Sequence, residues 1–204
     1  WSDVRALPVR VGKCKDTAMN PEDVALLTGA MGSIRSGARH AVEITWRAGL
    51  RADEVAHLRG SAVDLTGQVL VVREGAKNNR YREVPIRDKD FPFFYRLHCM
   101  YGEGYVCGGI KSETIDGRIR KAMKELMAAD GTGRTLAEKY PFETLHSVRK
   151  AYARARMSEE TDKGLTRSRA WDVVCRELGH GNDRSDLFDV YAGTEPATAA
   201  PMRK

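Results

Sequence analysis

No stretch of these 204 residues is apolar for long enough to cross a bilayer, and the mixed, polar N-terminus shows no secretory leader. Cysteine is sparse. Cys14, Cys99, Cys107 and Cys175 are scattered, with no pair at zinc-ligand spacing, which speaks against both a disulfide scaffold and a zinc module. They read as reduced thiols in a cytosolic protein, with Cys99 and Cys175 inside helical patterns and expected in the core. No carboxylate cluster has metal-binding spacing, so neither metal nor cofactor is called for. No repeat is visible. What the chain does have is positive charge, 34 Lys and Arg against 28 Asp and Glu, for a net +6. A pI near 9.2 favours a polyanionic partner. Hydrophobic content of 42% is ordinary for one globular core.

The periodicity predicts a mostly helical chain with one small sheet. Residues 1–19 are irregular and open on Trp1, so a linker or the end of a preceding domain is expected there. Asn20-Pro21-Glu22-Asp23 is a helix start, with a cap, a proline and acids in the first turn. Ser33 opens a longer helix with Ile34, Ala38, Val42 and Trp46 on one face, closing at Ala48-Gly49. A short helix follows over 52–58. Then the period changes to two. Strands are predicted at 68–72 and 81–86 around a polar turn at 75–80, with a third short strand near 63–65. Helices return at 93–101, 112–129, 144–157 and 168–178, with a polar loop at 158–166. The tail 193–204 is small-residue and proline-containing.

The C-terminal quarter gathers the reactive types. His146-Ser147-Val148-Arg149 puts an imidazole and a guanidinium one helical turn apart. Leu178-Gly179-His180 places another imidazole just past a helix stop. Tyr191 is the only tyrosine after Tyr152. Cationic donors around a phenol suit attack on a phosphodiester without a metal, because the donors carry the charge that builds on the phosphate oxygens. Arg51, in Gly49-Leu50-Arg51, and Arg149 would grip phosphate through paired N–H groups. A phenol ordinarily ionises near pH 10, roughly, so such chemistry needs a cationic pocket.

These motifs, in this order, resemble those of the tyrosine recombinase (phage integrase) catalytic domain. Gly49-Leu50-Arg51-Ala52-Asp53-Glu54-Val55 is similar to the family's first-arginine motif. Gly75-Ala76-Lys77 with Arg82-Glu83-Val84-Pro85-Ile86 is similar to its lysine-bearing hairpin. His146 to Arg149 is similar to its His-x-x-Arg box, and Leu178-Gly179-His180 with Tyr191 to its closing pair. The resemblance implies an α+β fold, mainly helical, with one antiparallel three-stranded sheet. It assigns 20–192 to the catalytic domain and 193–204 to a tail that packs on a neighbour.

The resemblance also implies the site. Arg51, Lys77, His146, Arg149, His180 and Tyr191 would be catalytic, with Tyr191 the nucleophile and Lys77 the proton donor to the leaving 5′ oxygen. Arg80 and Arg82 are rivals for the lysine's place. Glu54 would orient Arg51. Lys77, Arg80, Lys150 and Arg154 would contact DNA, although the run from Arg149 to Arg156 is equally readable as a solvated basic face. His40, His57 and His98 read as packing or surface residues. The implied partners are double-stranded DNA and three further copies in a tetramer on paired sites, with a monomer in the absence of DNA, no membrane, and a bacterial or phage cytoplasm. A type IB topoisomerase-like relaxing enzyme and a silent DNA-binding module share the fold. The segment between Arg149 and His180 looks long for the family, with 159–164 as the expected insertion, and the stretch from His180 to Tyr191 looks slightly long. The family's N-terminal DNA-clamping domain is not in the sequence.

Overall fold

The computed structural model describes residues 18–33, 35–75, 81–141, 144–181 and 184–191. Nine α-helices and three strands run in the order α1 (Pro21–Ala30), α2 (Gly37–Ala48), α3 (Ala52–Ala56), β1 (Val63–Asp64), β2 (Val69–Val72), β3 (Arg82–Pro85), α4 (Phe91–Tyr101), α5 (Ser112–Glu125), α6 (Leu136–Lys139), α7 (Leu145–Asp162), α8 (Arg167–Leu178) and α9 (Phe188–Tyr191) among the described residues. None of these helices is long and apolar enough to cross a membrane.

Helix α7 is the axis. It packs on α2 along one side and on α8 along the other. That double cover explains why Leu145, Val148, Ala151, Tyr152, Ala153 and Met157 are all buried, and alanines at 151 and 153 let its neighbours approach closely. Val42, Ile44 and Ala48 of α2, Ile115, Ile119 and Met123 of α5, and Phe93, Phe94 and Leu97 of α4 complete the main core. A second cluster joins Tyr152 and Met157 to Trp171, Val174, Cys175 and Leu178 of α8 and to Tyr191. Burying a side chain of the size of these contributes about 1.5–3 kcal/mol each.

The sheet is antiparallel in the order β1-β2-β3, with Val63 opposite Leu70, Leu70 opposite Val84 and Val72 opposite Arg82. Leu70, Val72 and Val84 face the core, so the period of two in the sequence is the inside–outside alternation of the hairpin.

Several boundaries differ from expectation. Helix α2 starts at Gly37, not Ser33, because Ser36 N bonds back to Ser33 O at 2.9 Å in a preceding turn. Helix α5 stops at Glu125, where Leu126 turns extended and Leu136 N bonds to its carbonyl at 2.8 Å. Helix α6 was not anticipated, though its capping box, Thr135 with Glu138, is visible in the sequence. The polar loop expected at 158–166 is largely the last turn of α7, which runs to Asp162. Its acids are not solvent-seeking: Glu159 pairs with Arg87 at 3.0 Å and Glu160 with Arg156 at 2.8 Å. Cys175 is buried as expected, but Cys99 is exposed, since Phe93, Phe94 and Leu97 take the inner face of α4.

Candidate active site

Two helix ends and a short helix start make the site. Gly49 ends α2 in the left-handed region at φ 63°. A side chain there would set its Cβ 2.4 Å from the Tyr152 ring, so both the turn and the close approach demand glycine. The turn delivers Arg51 to the start of α3. There the Glu54 carboxylate accepts the Arg51 backbone N–H at 2.7 Å and its Nη1 at 3.0 Å.

Arg149, on the first turn of α7, is 1% exposed. Its Nη1 donates to the Gly49 carbonyl, and its Nη2 donates to the Leu178 carbonyl at 2.6 Å. The guanidinium therefore bridges the C-terminal ends of α2 and α8, where carbonyls lack helical partners and the dipoles favour a cation. Burial pulls it down to about 10, helped by the charge on Arg51 and opposed by Tyr191 and Glu54, so it stays charged at neutral pH. Its Nε–H is buried without a hydrogen-bond partner among the described residues.

Glu54 sits among three guanidinium groups. Arg82 gives Nη1 and Nη2 to its two oxygens at 2.7 and 2.8 Å, Arg51 adds a third contact, and Arg149 Nη1 stands 3.9 Å away. Burial pushes the carboxyl up, but the hydrogen bonds and charge of Arg82, with Arg51 N and Arg149, outweigh it and hold Glu54 at about 2. Arg82, which the sequence offered as a rival for the lysine at the hairpin tip, is instead committed to this carboxylate.

Tyr191 closes the cluster. Its ring lies 4.8 Å from the His180 ring and 5.4 Å from the His146 ring, both edge-on, and the Arg149 Cζ is 5.8 Å from its centroid. Tyr191 is buried, at 6% exposure. His180 Nε2 is 3.2 Å from Arg149 Nη2. Arginine only donates, so the imidazole accepts there and its proton falls on Nδ1. Burial, with Arg149, Arg51, Arg184 and Arg82 adding to it, lowers His180 to about 3, so it is neutral. As the site stands, Nε2 is an acceptor and Nδ1–H is the donor the ring has left.

An open cleft of about 420 Å³ runs along the cluster, lined by Arg51, His146, Arg149, Thr144, Asp116 and Arg120 among others. Arg120 and Asp116, on α5, were not foreseen. Their only sequence signal is that they fall one helical turn apart; that Asp116 accepts from Thr144 Oγ1 at 2.5 Å, across 28 positions, only the fold shows. The structure thus brings together Arg51, Glu54, His146, Arg149, His180 and Tyr191. Lys77 and Arg80 lie outside the described residues. The place of Lys150 does not fit a DNA contact: it is 4% exposed on α7, and Arg154 is half-buried, because α2 and α8 cover most of that helix.

No protein-family model matches the chain, and no curated protein does. Solved structures do match, and they define the fold as that of a tyrosine recombinase catalytic domain. XerA recombinase aligns with a TM-score of 0.56 at 19% identity over 88% of this chain and 61% of that one. The Tn1549 transposon integrase, in complex with circular intermediate DNA, aligns at 0.57 and 14% identity over 88% and 62%. The integrase from mycobacterium phage Brujita aligns at 0.50 and 15% over 83% and 61%. The chain therefore spans about three fifths of the length of the structures it resembles.

Proposed function

We propose that this chain is the strand-cleaving domain of a site-specific DNA recombinase, with Tyr191 as its nucleophile. The observation that carries the reading is the convergence of Tyr191, His146, His180, Arg149 and Arg51, from four separate elements, in one cluster beside a cleft that Arg51, His146 and Arg149 line. The DNA-bound transposon integrase among the similar structures supports duplex DNA as the partner.

The reaction needs no metal in this reading. Tyr191 Oη attacks the scissile phosphorus and the bond to the 5′ oxygen breaks, leaving a 3′-phosphotyrosyl link and a free 5′-hydroxyl. The phenolic proton passes to His146, whose ring lies edge-on to Tyr191 and lines the cleft. The leaving oxygen takes its proton from Lys77. Arg51 and Arg149 hold the non-bridging oxygens, a contribution of about 10²–10³ in rate for each such donor. His146 faces the same cleft and supports the phosphate, and Arg120 receives a flanking phosphate. A 5′-hydroxyl from a second strand reverses the step, so bond energy is conserved. Tyr191 packs against groups of its own chain, which supports cleavage in cis, and strand exchange between two sites calls for four protomers.

The test is incubation with nicked half-site DNA, followed by denaturing electrophoresis. A covalent adduct with the wild type and none with Tyr191→Phe sustains the reading. Adduct retained by Tyr191→Phe overturns it. Transfer of the cleaved strand to a second DNA separates recombination from simple relaxation of supercoils, and binding with no adduct from the full-length protein would mark a silent module.

A further inference from the structure

Arg82 opens β3, opposite Val72 in the ladder, on the strand that returns from the hairpin tip. Its side chain reaches two other elements. Nη1 and Nη2 take both oxygens of Glu54, at 2.7 and 2.8 Å. Nε donates to the Glu177 carbonyl at 2.9 Å, two residues before Gly179. The guanidinium lies over Gly179 itself, where an added Cβ would fall 2.9 Å from Nη1. Gly179 also has φ 69°, so the turn before His180 is shaped both by its own backbone and by the passage of Arg82. Only 10% of the Arg82 side chain is exposed, and all three of its nitrogens are engaged. Three of its five N–H groups are thereby spent inside the protein.

We propose, on the reading of Tyr191 as nucleophile, that Arg82 is a positioning residue: it ties the lysine-bearing hairpin, the Arg51 turn and the His180 turn into one unit. Its second effect is on charge. Glu54 Oε2 lies 3.9 Å from Arg149 Nη1 and is held off by the Arg82 fork. Without that fork the carboxylate relaxes onto Arg149 and Arg51 and neutralises the clamp meant for phosphate. A planar fork gripping both oxygens is what arginine supplies and lysine does not.

The experiment measures single-turnover adduct formation on nicked DNA for the wild type, Arg82→Gln, Arg82→Lys, Glu54→Gln and the double variant Arg82→Gln/Glu54→Gln, with DNA affinity measured alongside. Expected for Arg82→Gln is a cleavage rate about 10²-fold lower, the scale of a misplaced reacting group, with DNA affinity within about twofold. Arg82→Lys restores charge but not the fork, and stays at least about tenfold slow. The double variant is no slower than Arg82→Gln alone, because the pair acts as one unit. A rate near wild type, a loss of affinity matching the loss of rate, or multiplicative effects in the double variant each overturn the assignment.

If Arg82→Gln does not fold, Arg82→Lys carries the same comparison. If the wild type makes no adduct, the cleavage reading fails by itself, and ¹⁵N spectra of the arginine side chains decide on Arg82. Ordered Arg51 and Arg149 N–H signals that broaden in Arg82→Lys sustain its positioning role. Signals that do not change between wild type and Arg82→Lys refute it.

Discussion

Arg51, Arg82 and Arg149 share one carboxylate, Glu54, whereas Arg47, Arg87 and Arg156 meet five, Glu43, Asp90, Glu159, Glu160 and Glu177. Both clusters are largely buried, and both tie helices together. The second is balanced. Arg156 lies flat on Glu177 at 2.7 and 2.9 Å, the Tyr152 hydroxyl completes that carboxylate at 2.6 Å, and Arg87 links Asp90 to Glu159. Nothing there is left to attract a ligand. The first cluster keeps an excess of positive charge beside an open cleft, which a phosphate would neutralise. Buried cations are costly unless paired, so an underpaired set is informative about function in a way that a fully paired set is not.

The contrast breaks most visibly at Arg149. Replacing it with lysine keeps a charge but cannot span the ends of α2 and α8, and cleavage is expected to fall about 10²–10³-fold. Single-turnover adduct formation measures this. Next comes Glu54→Gln, which leaves three guanidinium groups without their carboxylate. A loss of about 3–5 kcal/mol in stability is expected from urea unfolding.

Glu177→Gln is the matched change in the balanced cluster. Arg156 keeps Glu159 and Glu160, so the expected loss is smaller, about 1.5–3 kcal/mol, and cleavage by the folded protein drops less than about tenfold. An equal loss from the two substitutions would erase the distinction drawn between the clusters.

The smallest effect is on pH dependence. Burial, and then Arg39, lower His40 to about 4; burial and the arginines of the site lower His180 to about 3. Both ionise at lower pH in the native state than in the unfolded chain. Below the ordinary histidine value, about 6.5, the unfolded chain therefore binds more protons and stability declines as pH falls. Glu54 and Glu159, each held at about 2, extend the decline below the usual carboxylate range. Urea midpoints at a series of pH values give the curve, and His40→Gln should flatten its upper part. A midpoint that does not move between pH 7 and 5, roughly, would contradict the buried neutral imidazoles.

Much of this was legible in the sequence, for local reasons. Gly49 and Gly179 announced helix ends, and His146 and Arg149 share a face through helical spacing alone. The alternation at 68–72 and 81–86 set the hairpin. What escaped depends on distant partners. Arg82 could be placed on a strand but not assigned to Glu54, 28 positions away. Arg120 and Asp116 enter the cleft only because α5 packs beside α3. The charged end of α7 looked like a loop because its acids find Arg87 and Lys89 some 70 positions away. Lys150 looked solvated because nothing local reveals that α7 is covered on two sides.

The length of α7 has a mechanical consequence. His146 and Arg149 occupy its first turn, and Glu159 and Glu160 its last, as parts of one 18-residue rod. At a rise of about 1.5 Å per residue, Arg149 stands about 15 Å from Glu159 along the axis. A tilt of about 3° pivoting at Glu159 would carry Arg149 by a little under 1 Å, roughly the displacement at which catalysis suffers a hundredfold. The balanced cluster at the far end is thus the mounting of a lever, and its stiffness sets the aiming tolerance of the guanidinium at the other end.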